Sequence, residues 1–83
     1  MSQERVVAFI LAVVEIGKEY KVVSEMTRVA KEEGVDIEAY VVYGEYDVAA
    51  KITADSLRKL DKAVTRIRSL PGILRTVTLV ASG

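Results

Sequence analysis

Every residue from Val6 to Val14 is apolar, and the run is rich in Val and Ile. A run of this length, with Arg5 just ahead of it, fits a strand buried on both faces better than an amphipathic helix, which would show polar residues at a helical spacing. It is too short to span a bilayer. Read as a strand, it sends Val7, Phe9, Leu11 and Val13 to one side and Val6, Ala8, Ile10, Ala12 and Val14 to the other. Both sides then need cover. In a chain of 83 residues, which has little mass to cover two faces of a sheet, that requirement governs the rest.

The remaining segments alternate in period. Gly17 breaks the first run, and from Lys18 to Glu33 the spacing turns helical, with Val22, Val23, Met26, Val29 and Ala30 in one stripe. Gly34 stops this helix. Val35 to Tyr43 returns to a two-residue period, with Val35, Ile37, Ala39 and Val41 on one side and Asp36, Glu38, Tyr40 and Val42 on the other. Gly44-Glu45 predicts a two-residue type II′ hairpin, whose first position needs a positive φ. A strand headed by Tyr46 and Asp47 follows, with Val48, Ala50 and Ile52 opposed to Asp47, Ala49 and Lys51. Thr53 or Asp55 is the expected cap of a second helix striped by Leu57, Leu60, Val64 and Ile67. Leu70-Pro71-Gly72 ends it, and Ile73 to Ala81 forms the last strand. Strict alternation there puts Ile73, Val77 and Leu79 on one face and Leu74, Thr76, Thr78 and Val80 on the other.

The predicted order is βαββαβ, one α/β domain over residues 1–83 with no linker. Two βαβ halves of this kind build a ferredoxin-like α+β fold: a four-stranded antiparallel sheet with both helices on one face.

Composition excludes several function classes. The chain has no Cys and no His, which removes thiolate chemistry and the commonest general base and metal ligand. Twelve basic and twelve acidic residues cancel, against the basic excess of a nucleic-acid-binding domain. No phosphate loop, nucleophile elbow or metal cluster occurs, so neither an enzyme nor a cofactor is expected. Met-Ser-Gln-Glu-Arg is unlike a secretory leader and no span is present, so a cytoplasmic location is expected. Apolar residues make up 51% of the chain, so either the core is unusually rich or some apolar surface is buried against a partner.

That surface is the sheet face without helices. Val42, Leu74, Val80 and the ring of Tyr40 are expected to join the first strand's outward set, and a face-to-face homodimer is the natural solution. Asp47, Lys51, Thr76, Thr78 and the Tyr40 hydroxyl are expected on the same face. A carboxylate, an ammonium and hydroxyls around an apolar strip suit a small amphipathic ligand such as a free amino acid.

Gly44-x-Tyr46-Asp47 followed by alternating apolar residues to Ile52 resembles the G-x-Y-D hairpin of the Lrp/AsnC transcription regulators. Gly72-Ile73-x-x-Thr76-x-Thr78 resembles their G-V-x-x-T-x-T segment. The first strand, Gly34-Val35 and Leu70-Pro71-Gly72 also match. The resemblance covers essentially the whole chain, but only the family's ligand-binding and assembly (RAM) domain. No residues remain for the helix-turn-helix domain, so no direct contact with nucleic acid is implied. The resemblance implies homodimers assembled into an octamer or similar ring, free amino acids bound between subunits, and co-assembly with full-length regulators. Carried over, Gly44 lets backbone approach the ligand and Tyr46 shapes the pocket wall. Asp47 faces the ammonium or orders the loop, and Thr76 and Thr78 offer hydroxyls near the carboxylate.

Plainer readings stand beside these. Gly44 serves the turn in any case, Asp47 can accept backbone N–H bonds, threonines are good strand formers, and Tyr40, Tyr43 and Tyr46 suit any interface. An ACT-like regulatory module, a purely structural assembly protein and a small dimeric α+β barrel enzyme share the outline.

Overall fold

The computed structural model describes residues 5–81. Met1–Glu4, part of the segment read above for a leader, and Ser82 and Gly83 lie outside the described residues. The elements are β1 (Val6–Val14), α1 (Glu19–Glu33), β2 (Asp36–Val41), β3 (Val48–Ala54), α2 (Leu57–Arg68) and β4 (Ile73–Val80). The sheet order is β2-β3-β1-β4, antiparallel throughout. The apolar first strand is therefore central, with β3 and β4 on its flanks, as its composition demands.

Ala8, Ile10, Ala12 and Val14 of β1 face the helices and are buried with Val48, Ala50, Ile52 and Ala54 of β3. Val22, Met26, Val29 and Ala30 of α1 and Leu60, Ala63, Val64 and Ile67 of α2 close this core from one side. Small residues on the central strands let the helices sit close, and Met26 and Leu60 fill the space between. Gly34, at φ 73°, lies just past α1, where the Val35 N–H returns to the Ala30 carbonyl at 3.0 Å. Only glycine holds that conformation without strain.

The cap of α2 differs from expectation. Ser56, not Thr53 or Asp55, is the capping residue, its Oγ accepting from the Lys59 N–H at 3.1 Å. Thr53 is still a β3 residue, since β3 runs on to Ala54. Asp55 instead pairs with Lys59, one turn on, at 3.5 Å.

The two helices are laced together on their outer side. Arg66 of α2 reaches Glu33 at 2.7 Å and Glu32 at 2.8 Å, and Arg28 bridges Glu25 and Glu32 along α1. Hydrogen bonds from Arg66 and then Arg28 hold Glu32 below the usual carboxylate range, and Arg28 does the same to Glu25. A carboxyl whose folded-state pKa lies below its unfolded value stabilises the fold at neutral pH. That contribution is lost as pH falls through the folded-state value. Urea midpoints are therefore expected to drop between pH 7 and about pH 3, more steeply in the parent chain than in Arg66→Gln. Parallel slopes would show that the network does not couple to folding.

Among the described residues, no helix is long and apolar enough to cross a membrane.

Candidate functional site at the loop end of the sheet

The sheet face without helices carries Val7, Phe9, Leu11 and Val13 from β1. Register places Thr53, Lys51 and Ala49 of β3 beside the first three, and Asp36, Glu38 and Tyr40 of β2 beside those. On the other flank, Phe9, Leu11 and Val13 stand opposite Leu79, Val77 and Arg75 of β4. Phe9 is 40% exposed, Leu79 53% and Tyr40 60%. Phe9, Leu11, Tyr40 and Ala49 line a shallow hollow of about 240 Å³ in this face, with Glu38 and Lys51 at its margin. An apolar strip left uncovered on a sheet face is the kind of surface that marks an interface.

Two expectations about this face are corrected. Thr76 and Thr78 stand opposite Ala12 and Ile10, and Val80 opposite Ala8. Directly paired residues share a face, so all three point toward the helix side. The cause is a register shift between Val13, which pairs with Arg75, and Val14, which pairs with Ile73. Leu74 is the extra residue of this bulge, and one extra residue reverses the facing of everything after it. Arg75, Val77 and Leu79 therefore take the open face. The Thr78 hydroxyl is buried and has no hydrogen-bond partner among the described residues.

The hairpin also differs. The β2–β3 register would bring Gly44 opposite Glu45, as a two-residue turn requires, but the ladder stops at Val41 and Val48. Gly44 has a positive φ of 128°, as expected for the turn. The reason for the wider loop lies in Asp47. Its carbonyl accepts from the Val42 N–H at 2.9 Å, while its own N–H turns away to the Ala12 carbonyl at 2.8 Å. Its carboxylate Oδ2 accepts the Val14 N–H, also at 2.8 Å. On the other flank of β1, Glu15 donates to the Gly72 carbonyl at 2.9 Å. The β1–β3 ladder ends at Ala12 and Val48, so without the carboxylate the Val14 N–H would be a strand-end donor left unpaired in partly buried surroundings. An aspartate heading a strand has its explanation here: it fastens the β2–β3 loop to the end of β1.

The candidate residues accordingly fall into three places. Gly44, Tyr46 and Asp47 sit together in the loop at the sheet end where β1 finishes. Thr76 lies at the same level, since it and Val48 both pair with Ala12, roughly 10 Å apart across β1. Thr78 is one pair further from that end. Tyr40 is apart from them, on the open face opposite Ala49.

A groove of about 330 Å³ opens beside Thr76, between the C-terminal end of α2 and the free edge of β4. Thr65, Arg68 and Ser69 line it from the helix side, and Ile73, Arg75 and Thr76 from the strand. Sequence reading missed Arg68 and Arg75. Arg68 is indistinguishable from a solvated helix residue, but Arg75 is a charge set in an otherwise uncharged strand, which was a signal.

A model of the Lrp/AsnC ligand binding domain matches residues 7–82. The crystal structure of FFRP-DM1 is 44% identical, with a TM-score of 0.78 over 93% of this chain and 99% of that one. The hypothetical protein PHS023 from Pyrococcus horikoshii is 45% identical, with a TM-score of 0.74 over 93% of this chain and 89% of that one. E. coli AsnC shares the fold at 23% identity and a TM-score of 0.62, over 92% of this chain and 50% of that one. No curated protein matches the chain.

Proposed function

Because the chain belongs to the Lrp/AsnC ligand-binding domain family, we propose that it is a regulatory amino-acid-binding module, not an enzyme, and that it assembles with copies of itself. Two chains pair through the open sheet face, where Phe9, Leu79 and Tyr40 come together, and the pairs join into a larger ring. The amino acid binds at the loop end of the sheet, between neighbouring copies. Gly44 and Tyr46 form its wall and Thr76 supplies a hydroxyl from the edge strand, while the buried Thr78 hydroxyl lies one pair further in and Tyr40 belongs to the pairing face. Full-length regulators of the family present the same kind of domain, so mixed assembly with them is the route by which this chain would modulate transcription.

The observation that carries the reading is the triple attachment of Asp47 to Val42, Ala12 and Val14. It fixes the Gly44–Tyr46 loop against the sheet end, so a ligand meets backbone already in place and little ordering cost remains. Oδ2 is engaged with Val14. A ligand ammonium would therefore approach the other carboxylate oxygen, an ionised carboxylate having several acceptor positions.

A thermal-shift panel of the twenty amino acids tests this. A ligand that binds only the folded form adds about 2.7 kcal/mol at a hundredfold excess over its Kd. One amino acid or a related few are expected to raise the melting temperature. A flat panel would exclude the amino-acid reading and leave an assembly role.

A further inference from the structure

We propose that Glu38 and Lys51 form reciprocal ion pairs with a second copy of the chain across the open sheet face, Glu38 with the partner's Lys51 and Lys51 with the partner's Glu38. This rests on the proposed pairing through that face and names what makes a copy of this chain the partner it accepts.

The charges on the face are placed by register. Asp36, Glu38 and Lys51 come from β2 and β3, Arg75 comes from β4, and Arg5 lies at the margin ahead of β1. Arg5 and Asp36 answer each other at 2.7 Å. Glu38 and Lys51 are directly opposed on neighbouring strands and so share the face. Neither makes an ion pair among the described residues. Both are exposed, and both line the apolar hollow formed with Phe9, Leu11, Tyr40 and Ala49. An acid and a base are thus left open at the margin of the surface that most needs cover.

The hollow decides what they can meet. A two-fold axis that buries it brings both charges close to their own copies, because residues around such an axis meet themselves and their near neighbours. Glu38 over the partner's Glu38, or Lys51 over the partner's Lys51, would be repulsive and would lose hydration without a counter-charge. The crossed arrangement answers both charges, and symmetry makes the bridge twice. Facing sheets pack about 10 Å apart, a gap that a glutamate and a lysine reaching from opposite sides close between them. Arg75 does not line the hollow; it stands on the edge strand opposite Val13, toward the C-terminal end of β1. An apolar sheet face without an acid and a base at these two places would leave the pair desolvated and unanswered, so the charges select for a copy of this chain.

The test is charge reversal with mixing. Glu38→Lys, Lys51→Glu, the double variant carrying both changes and Phe9→Lys are followed by light scattering across a dilution series, with melting curves to check that each is folded. Each single reversal is expected to weaken self-association at least about tenfold, since like charges replace both bridges. An equimolar mixture of the two single variants is expected to regain the parent's mass, with native mass spectrometry finding both variants in equal number. The double variant is expected to associate as the parent does. Recovery in the double variant but not in the mixture would confine the pair to its own chain and overturn the inference. Single reversals that leave the mass unchanged, while Phe9→Lys abolishes the oligomer, would overturn this inference and leave the open-face pairing standing. A monomeric parent chain, or an oligomer indifferent to Phe9→Lys and to the reversals alike, would overturn both.

Discussion

If the proposed assembly forms, Phe9→Lys is expected to leave monomers at micromolar concentration where the parent chain is oligomeric, with a melting transition that stays cooperative. Phe9 sits in the middle of the open face, opposite Lys51 on one flank and Leu79 on the other. A lysine there would place a second ammonium beside Lys51. In a two-fold interface the pair would face its own copy, so the repulsion and desolvation enter twice. Central aromatic positions carry a large share of interface energy, and a loss of about 3 kcal/mol corresponds to roughly a hundredfold weaker Kd. The side chain is 40% exposed and points away from the helices, so the core of Ile10, Met26, Ile52 and Leu60 is not disturbed. Aspartate would be the weaker probe, since it would find Lys51 as a partner. Light scattering across a dilution series checks the mass, and an unchanged oligomer would mean that the open face is not the interface.

Asp47→Ala is expected to cost about 2 kcal/mol of folding stability, because it strands the partly buried Val14 N–H and removes a charge-assisted bond. For a domain of this size that is a fall of about 10 °C in melting temperature. Asp47→Asn keeps an acceptor oxygen and is expected to lose less than half as much. Stability should be compared at one protein concentration, since the proposed assembly would contribute to it. A loss below about 0.5 kcal/mol in the alanine variant would show that the loop is held by its backbone bonds alone. The pair of variants also separates two roles of the same side chain. A neutral asparagine that keeps the fold but loses amino-acid binding would assign the charge to the ligand ammonium.

The sheet and the helices were legible because their burial is one-sided and periodic. Val48, Ala50 and Ile52 alternate without interruption, and the stripes of α1 and α2 keep a helical spacing over several turns. The uncovered face was legible for a different reason: no placement of Val6–Val14 leaves β1 with a polar side. The facing of β4 was not, because alternation carries no mark of a bulge. Leu74 is as good a strand residue as its neighbours, and only the pairing of Val13 with Arg75 and Val14 with Ile73 reveals it as extra. Counting through it put Thr76, Thr78 and Val80 on the wrong side. The hairpin failed in the same way. Gly44-Glu45 has the composition of a two-residue turn, but the N–H of Asp47 is taken by Ala12, a residue of another strand that no local pattern shows. Long-range backbone bonds decide such points, and short-range periodicity is silent about them.

The groove beside Thr76 stands in the same relation to sequence. Arg68 and Arg75 are brought to it by an α2–β4 connection that includes Pro71 and Gly72, and Gly72 has a φ of 94° that few other residues tolerate. Its position beside the loop end is a consequence of topology, since α2 finishes where β4 begins and β4 begins beside the end of β1.

The most direct test of the account is a crystal structure of the full chain grown with the amino acid that gives the largest thermal shift. The account predicts the ligand at an interface between copies, in contact with the Gly44–Asp47 loop and with the Thr76 end of β4. The same amino acid bound elsewhere, with that end of the sheet empty, would contradict it.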